Sequence, residues 1–238
     1  MKITKIFLDT PLKKSYRALL ISDMHSEIPP NFLKTAQALT PDFVLLAGDY
    51  VDGQIISHPQ MSALLQSLAD TAPTFYATGN HELFTDEDRS LIRKTGITLL
   101  ENETAFLDEL TIGGLRSGFG HIPHFTKTPP PDLEYLKRFS ALDGYKILIS
   151  HHPEYFKDYI RDQKIDLTVS GHAHGGQWRL GKLAAYAPGQ GIFPRYTSGL
   201  YRENGSSLIV SRGVGNHTFI PRIFNPTEII LITLQSKA

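Results

Sequence analysis

The sequence predicts an α/β fold built on two sheets rather than one. Three observations carry that prediction. Between residues 17 and 94, short apolar runs alternate with stretches of helical apolar spacing, the pattern of strands covered by helices. Between Ile97 and Leu115, three strand-like runs follow one another with no helix between them, which calls for a β-meander and a second sheet. The apolar run Phe43–Ala47 is followed at once by Gly48-Asp49-Tyr50-Val51-Asp52-Gly53, a tight polar turn at the carboxyl end of a buried strand. In open α/β sheets that end is where ligands bind.

Lys2–Leu8 alternates in part and reads as an edge strand. Arg17–Ser22 reads as a buried strand ending in Asp23-Met24-His25. A helix over 30–39 has Pro30 early, where proline is tolerated. Met61, Leu64, Leu65 and Leu68 mark a helix from Pro59 to Ala69. Thr74–Thr78 is a strand ending in Gly79-Asn80-His81-Glu82, and Asp86, Glu87 and Asp88 suit the first turn of a helix over Thr85–Lys94. The runs 97–100, 104–107 and 110–115 form the meander. Residues 118–131, with glycines, prolines, Phe119, His121, His124 and Phe125, read as a long surface loop of the kind that forms lids. A helix over about 132–141 follows, then a strand over Tyr145–Ile149 ending in Ser150-His151-His152-Pro153. Glu154–Arg161 reads as helical, and Leu167–Val169 as a strand ending in Gly171-His172-Ala173-His174. Loops and short hairpins are expected over Leu183–Asn204, and strands over Leu208–Ser211 and Glu228–Leu234. There is no internal repeat or linker, so one domain over residues 1–238 is expected.

Composition narrows the function classes. Basic and acidic residues balance at 24 each, so no nucleic-acid partner is indicated. The absence of cysteine excludes disulfides, thiolate ligands and a cysteine nucleophile, and suits the cytoplasm. No stretch reads as a signal peptide or a membrane span.

Five strand ends now carry Asp23 and His25; Asp49 and Asp52; Asn80 and His81; His151; and His172 and His174. Strand residues two apart point to the same side, so Asp23 and His25 can face one ion together, and His172 and His174 can face one site from a short extended segment. Taken singly, an Asp-x-His at a strand end is commonly a turn cap, and a lone histidine a hydrogen-bonded one. Five such pieces after five predicted strands are hard to obtain from solvation alone. Carboxylate, imidazole and amide oxygen suit manganese, iron, zinc or magnesium.

Asp23-x-His25, Gly48-Asp49-x-x-Asp52, Gly79-Asn80-His81-Glu82, His151 and Gly171-His172-x-His174 resemble the motif series of the calcineurin-like metallophosphoesterases, in the family's order. A narrower resemblance runs from His174-Gly175-Gly176-Gln177 through Gly199-Leu200-Tyr201 and Ser211-Arg212-Gly213-Val214-Gly215 to Pro226-Thr227-Glu228-Ile229. It is similar to a bacterial branch containing phosphodiesterases and UDP-diacylglucosamine pyrophosphohydrolases. The loop around Arg116–Gly120 departs from several relatives in lacking an acidic pair.

The resemblance implies a two-sheet β-sandwich flanked by helices, the four-layer metallophosphoesterase fold. It implies two divalent metal ions, one on Asp23, His25 and His174, the other on Asn80, His151 and His172, with Asp49 bridging. A metal-bridging hydroxide would attack phosphorus, His81 would sit near the leaving oxygen as general acid, and Asp52 would orient His81. Two carboxylates among seven ligands leave the loaded site cationic, which favours a phosphate anion. His152 is expected to turn outward or to support a ligand. The resemblance implies a small phosphoester or pyrophosphate as substrate. Phe119, Phe125, Trp178, Tyr186, Phe193, Tyr196 and Tyr201 either pack the surrounding loops or wall the substrate, and Arg195, Arg202 and Arg212 are candidate anion contacts, each with a plainer use in an ion pair. Two alternatives stand beside the phosphodiesterase reading. A lipid-precursor pyrophosphohydrolase would need an apolar groove beside the metals and loose peripheral association with a membrane. A metal-free interaction scaffold would have lost ligands.

Overall fold

In Leu19-Leu20-Ile21 and Val44-Leu45-Leu46 every side chain is buried, so these strands are covered on both faces. The structure, a computed structural model, describes residues 1–117, 128–181, 183–216 and 221–237 and shows what covers them. The chain begins with strands β1 (Lys2–Thr10) and β2 (Tyr16–Ile21), then helix α1 (Phe32–Ala38) and β3 (Phe43–Ala47). Helix α2 (Pro59–Thr71), β4 (Thr74–Ala77), α3 (Asp86–Lys94) and β5 (Thr98–Leu99) come next. β6 (Glu103–Leu107) and β7 (Leu110–Gly114) lead to α4 (Leu133–Ser140), β8 (Tyr145–Ile149) and β9 (Leu167–Ser170). Strands β10 (Arg179–Leu180) and β11 (Leu183–Ala184) form one small hairpin, β12 (Tyr186–Ala187) and β13 (Gly191–Ile192) another. β14 (Gly199–Glu203), β15 (Ser206–Val210) and β16 (Glu228–Ser236) close the fold.

Two six-stranded sheets result, ordered β1-β16-β2-β3-β4-β5 and β14-β15-β9-β8-β7-β6. Alternation along each strand sorts the core into layers. Leu20, Phe43, Leu45, Ile147, Ile149, Val169 and Ile230 face inward between the sheets. Leu19, Val44 and Leu46 face out, against Phe32 of α1 and Met61, Leu65 and Leu68 of α2. Leu148, Leu208 and Val210 meet Tyr135 and Phe139 of α4. The order is helix, sheet, sheet, helix, the four-layer sandwich expected. Among the described residues no helix is long and apolar enough to cross a membrane.

The topology departs from the sequence expectation in three places. The first run of the expected meander, β5, pairs in parallel with β4 and ends the first sheet; only β6 and β7 start the second. Leu99 packs among the α2–α3 side chains, which holds it there. Residues Gly199–Glu203 form a full strand against β15 rather than a loop. The helical stretch after His152 is a five-residue π-helix, Phe156–Ile160. The 118–131 loop, with its expected lid role, falls mostly outside the described residues.

β2, β3 and β4 run parallel, as do β8 and β9. Their carboxyl ends therefore emerge together, Asp23, Asp49 and Asn80 from one sheet, His151, His172 and His174 from the other.

Candidate metal centre

The turns after these strands are not extended. Asp23, His25, Asp49, His172 and His174 all have left-handed backbone, with φ of 52°, 51°, 52°, 65° and 45°. Side chains two apart converge because the chain curls, not because a strand alternates, and the expected extended geometry is corrected accordingly. Such φ values strain non-glycine residues. Cross-links hold them: Asp23 N–H donates to Gly48 O and His25 N–H to Asp49 O, each at 3.0 Å.

Close approach needs two glycines. A Cβ on Gly79 would lie 2.1 Å from Asp49 Oδ1. One on Gly48, itself at φ +79°, would lie 2.5 Å from His151 Nδ1. The two sheets thus touch through His151, whose Nδ1 donates to Ala47 O at 2.8 Å.

Among the described residues the ligand-type atoms gather in four overlapping groups, two of them being His25 with Asp49 and His81, and His152 with Glu154 and His172. In the other two, those of Asp23, His25 and His174 lie within 4.8 Å of one another, and so do those of Asp49, His151 and His172. His25 Nε2 faces His174 Nε2 at 3.2 Å, and His151 Nε2 faces Asp49 Oδ2 at 3.0 Å. Asp23 Oδ2, Asn80 Oδ1 and His172 Nε2 are buried with no hydrogen-bond partner among the described residues. Leaving such atoms unsatisfied is costly unless a further group meets them. Imidazole nitrogen, carboxylate and amide oxygen are ligand types that divalent cations take.

Neighbouring groups fix the imidazoles. Asp52 Oδ1 lies 2.9 Å from His25 Nδ1 and 3.1 Å from His81 Nδ1, so it holds two rings where the sequence suggested one. Anchoring Nδ1 turns Nε2 of His25 and His151 toward the centre. His81, partly exposed, also donates its backbone N–H to Asp49 Oδ1 at 2.9 Å.

Burial pushes the Asp23 carboxyl up. Burial acts on Asp49 too, but His151, His25 and His81 hold it well below the usual carboxylate range. His81 is lowered by burial and raised more by the Asp52 hydrogen bond and Asp49, ending above the ordinary histidine value. Burial drives His172 and His174 well down, toward the neutral form a cation requires.

Four residues of the site had no assigned role in the sequence. Glu82 is buried behind the turns, accepting from Gly79 N at 2.6 Å, Tyr50 N at 2.5 Å and the Tyr76 hydroxyl. Burial and Asp49 push it up to about 7. It was visible only as the fourth letter of Gly-Asn-His-Glu. Glu154 lies 3.4 Å from His152 Nδ1 and 3.9 Å from His172 Nε2, hidden in a stretch read as helix. His152 itself is not outward: it is buried, 2.7 Å from Ser117 Oγ, with its ring 4.4 Å from that of His172. Arg222 Nη2 lies 3.1 Å from His174 Nδ1, and Asn225 Nδ2 donates to His174 O at 2.7 Å. No local pattern announces these two. An Arg222 hydrogen bond to Nδ1 leaves the imidazole proton on Nε2, so a cation there requires Arg222 to release that nitrogen.

The surrounding aromatics divide. Tyr196 is buried, its hydroxyl 2.8 Å from Glu203, and the Tyr201 hydroxyl accepts from Thr197 N at 3.0 Å, so both pack the loops. Trp178 and Phe193 line an apolar groove of about 380 Å³ with Leu180, Leu183, Ile223 and Phe224. Arg195 and Arg212 approach Glu203 and Glu228, at 2.8 and 3.7 Å.

Residues 16–176 match the model of the calcineurin-like phosphoesterase family. A Helicobacter pylori protein named an uncharacterized metallophosphoesterase is 29% identical over all of this chain and 64% of its own length, so the chain spans less than two thirds of that relative. The phosphodiesterase YaeI of Escherichia coli is 29% identical over 84% of this chain and 76% of its own. The crystal structure of TT1561 of Thermus thermophilus superposes with a TM-score of 0.50 at 12% identity, covering 84% of this chain and 90% of that one, a likeness of fold alone.

Proposed function

The chain belongs to the calcineurin-like phosphoesterase family, and on that premise we propose that it is a binuclear metal-dependent phosphodiesterase working as one domain over residues 1–238. The observation that carries this reading is that Asp23, His25 and His174, and likewise Asp49, His151 and His172, bring ligand-type atoms within 4.8 Å of one another, while Asn80 Oδ1 and His172 Nε2 are buried without a hydrogen-bond partner among the described residues. Asp23, His25 and His174 would hold one cation, Asn80, His151 and His172 the other, and Asp49 would contact both. When bound, two divalent cations neutralise the phosphoryl oxygens and lower the pKa of water.

The chain's own residues do the rest. Gly48 and Gly79 keep space for Asp49 and His151 to approach. Asp52 orients the His81 ring and favours its protonated form. His81, the most exposed imidazole of the group, gives a proton to the leaving oxygen. Metal analysis of the purified protein separates this reading from a metal-free scaffold, for which no ligand residue is missing. A panel of aryl phosphomonoesters, aryl diesters, nucleotides and UDP-sugars, with manganese, zinc, iron or magnesium, tests the diester preference. Fastest turnover of monoesters overturns it. The likeness to YaeI supports a diester.

A second reading, a lipid-precursor pyrophosphohydrolase, draws on the apolar groove. The segment 222–225 grips His174 through Arg222 and Asn225 while Ile223 and Phe224 line the groove. An acyl chain there would place a phosphoryl group near His174. Preference for an acylated over a deacylated UDP-sugar supports this reading; equal turnover removes it.

A further inference from the structure

A second polar cavity, of about 520 Å³, lies between the start of β1, Arg179 and β14. That size is within the ~300–1,000 Å³ typical of small-molecule sites. Among the described residues four cationic side chains line it, Lys2, Arg179, Arg195 and Arg212, against one carboxylate, Glu228.

That carboxylate is already engaged. Thr4 Oγ1 donates to Glu228 Oε2 at 2.5 Å, and Arg212 N donates to Oε1 at 3.2 Å. Arg195 pairs with Glu203 at 2.8 Å, but Glu203 also takes Arg161 at 3.0 Å. Arg179 is 8% exposed. Its guanidinium donates to Gly175 O at 2.6 Å and Thr197 Oγ1 at 2.8 Å, and no carboxylate lies within ion-pair distance among the described residues. Arg212 Nε is buried with no hydrogen bond among the described residues, 3.7 Å from Glu228. Burying guanidinium groups beside each other with too few counter-charges is unfavourable. An anion in the cavity would remove that cost, and phosphate oxygens match arginine donors.

We propose that this cavity binds the phosphate or diphosphate group of a small molecule, at a site separate from the metal centre. It takes its charge from side chains outside the metal-ligand set, Arg195 and Arg212 among them as the anion contacts the sequence offered, and it does not rest on the hydrolase reading. The two inner arginines lead to the metal-centre loop. Arg179 holds the carbonyl of Gly175, next to His174. The Arg212 carbonyl accepts from Arg222 Nη1 at 2.7 Å, and Arg222 reaches His174.

The test is calorimetric titration of methylenediphosphonate into the purified protein, before and after chelator treatment. One binding event should survive the chelator. Lys2→Glu, an exposed change, should weaken it about ten-fold, and Arg179→Gln should abolish it while the circular dichroism spectrum stays unchanged. If Arg179→Gln does not fold, Lys2→Glu decides. Absence of chelator-resistant binding, or binding indifferent to Lys2→Glu, overturns the proposal. The source of the phosphate is read from KM. If the group belongs to substrate, Lys2→Glu raises KM for UDP-N-acetylglucosamine relative to bis(4-nitrophenyl) phosphate. If it belongs to a free anion, that ratio is unchanged and the diphosphonate event still weakens.

Discussion

The strand-end turns that carry Asp23 to His174 and the groove wall formed by Trp178, Leu180, Leu183, Phe193, Ile223 and Phe224 are built in opposite ways. The turns are buried, clamped across two sheets, and so tight that a single methyl group at Gly79 would collide with Asp49. The wall is carried on two-residue hairpins, and it leaves Leu180, Leu183, Phe193 and Phe224 between 67% and 80% exposed. Precise donor geometry needs backbone that packing over-determines. Substrate contacts can sit on loops whose change costs the core little. On the proposed function the turns would carry the chemistry and the wall the specificity, and substitutions should then separate the two.

The sharpest separation is at Asp49. Asp49→Ala should reduce turnover on every substrate by on the order of a thousand-fold or more and lower metal content measured on the purified protein. Full metal content with normal turnover would remove Asp49 from the centre. His81→Ala should keep its metal and lose about 10²–10⁴-fold on diesters with poor leaving groups, with far less loss on a nitrophenolate ester. Equal losses on the two would rule out the acid role.

Gly79→Ala tests the stiffness directly. Its Cβ would displace the Asp49 carboxylate, and a shift of ~1 Å at a reacting centre costs about a hundred-fold. The melting temperature should fall as well, because the same Cβ would lie 2.5 Å from Asp49 N, backbone that the surrounding packing holds in place. An unchanged rate would mean that the turn is softer than its packing indicates.

A smaller effect concerns stability. Asp88 is buried in the capping box of α3, where it accepts from Thr85 N at 2.8 Å and Ile56 N at 3.0 Å. Burial opposes ionisation, but these hydrogen bonds win and lower its pKa below the ordinary 3.8. A depressed carboxylate stabilises the fold above the unfolded value, and this contribution fades as pH falls through the folded one. Asp88→Asn should cost about 1 kcal/mol at pH 7, and its melting curves should approach those of the parent protein toward pH 3. The least effect on chemistry is expected in the wall: Phe193→Ser should leave turnover of bis(4-nitrophenyl) phosphate unchanged. A large loss there would break the division between the two regions.

The same division governs what could be read from the chain. Strand β3 is a local apolar run and coincides with its expected span, Phe43–Ala47. α2 follows from the spacing of Met61, Leu64, Leu65 and Leu68. β5 joins the first sheet rather than the expected meander, because a two-residue strand has no local signature and its partner is chosen by the packing of Leu99. Asp23 and His25 do come close together, though not by the expected route. Alternation was expected, whereas a left-handed turn held from Gly48 and Asp49 does the work. Arg222 and Asn225 reach His174 across 48 and 51 residues, a relation no window on the sequence contains.

What the chain by itself determined is which chemical groups stand at the ends of which strands, because burial periodicity and turn residues are local properties. Which of those groups meet, which nitrogen of each ring is tied back, and where arginines are left short of carboxylates was decided only in three dimensions. Parallel strands from two sheets bring distant ends to one edge, and hydrogen bonds between residues remote in sequence then set each side chain's direction.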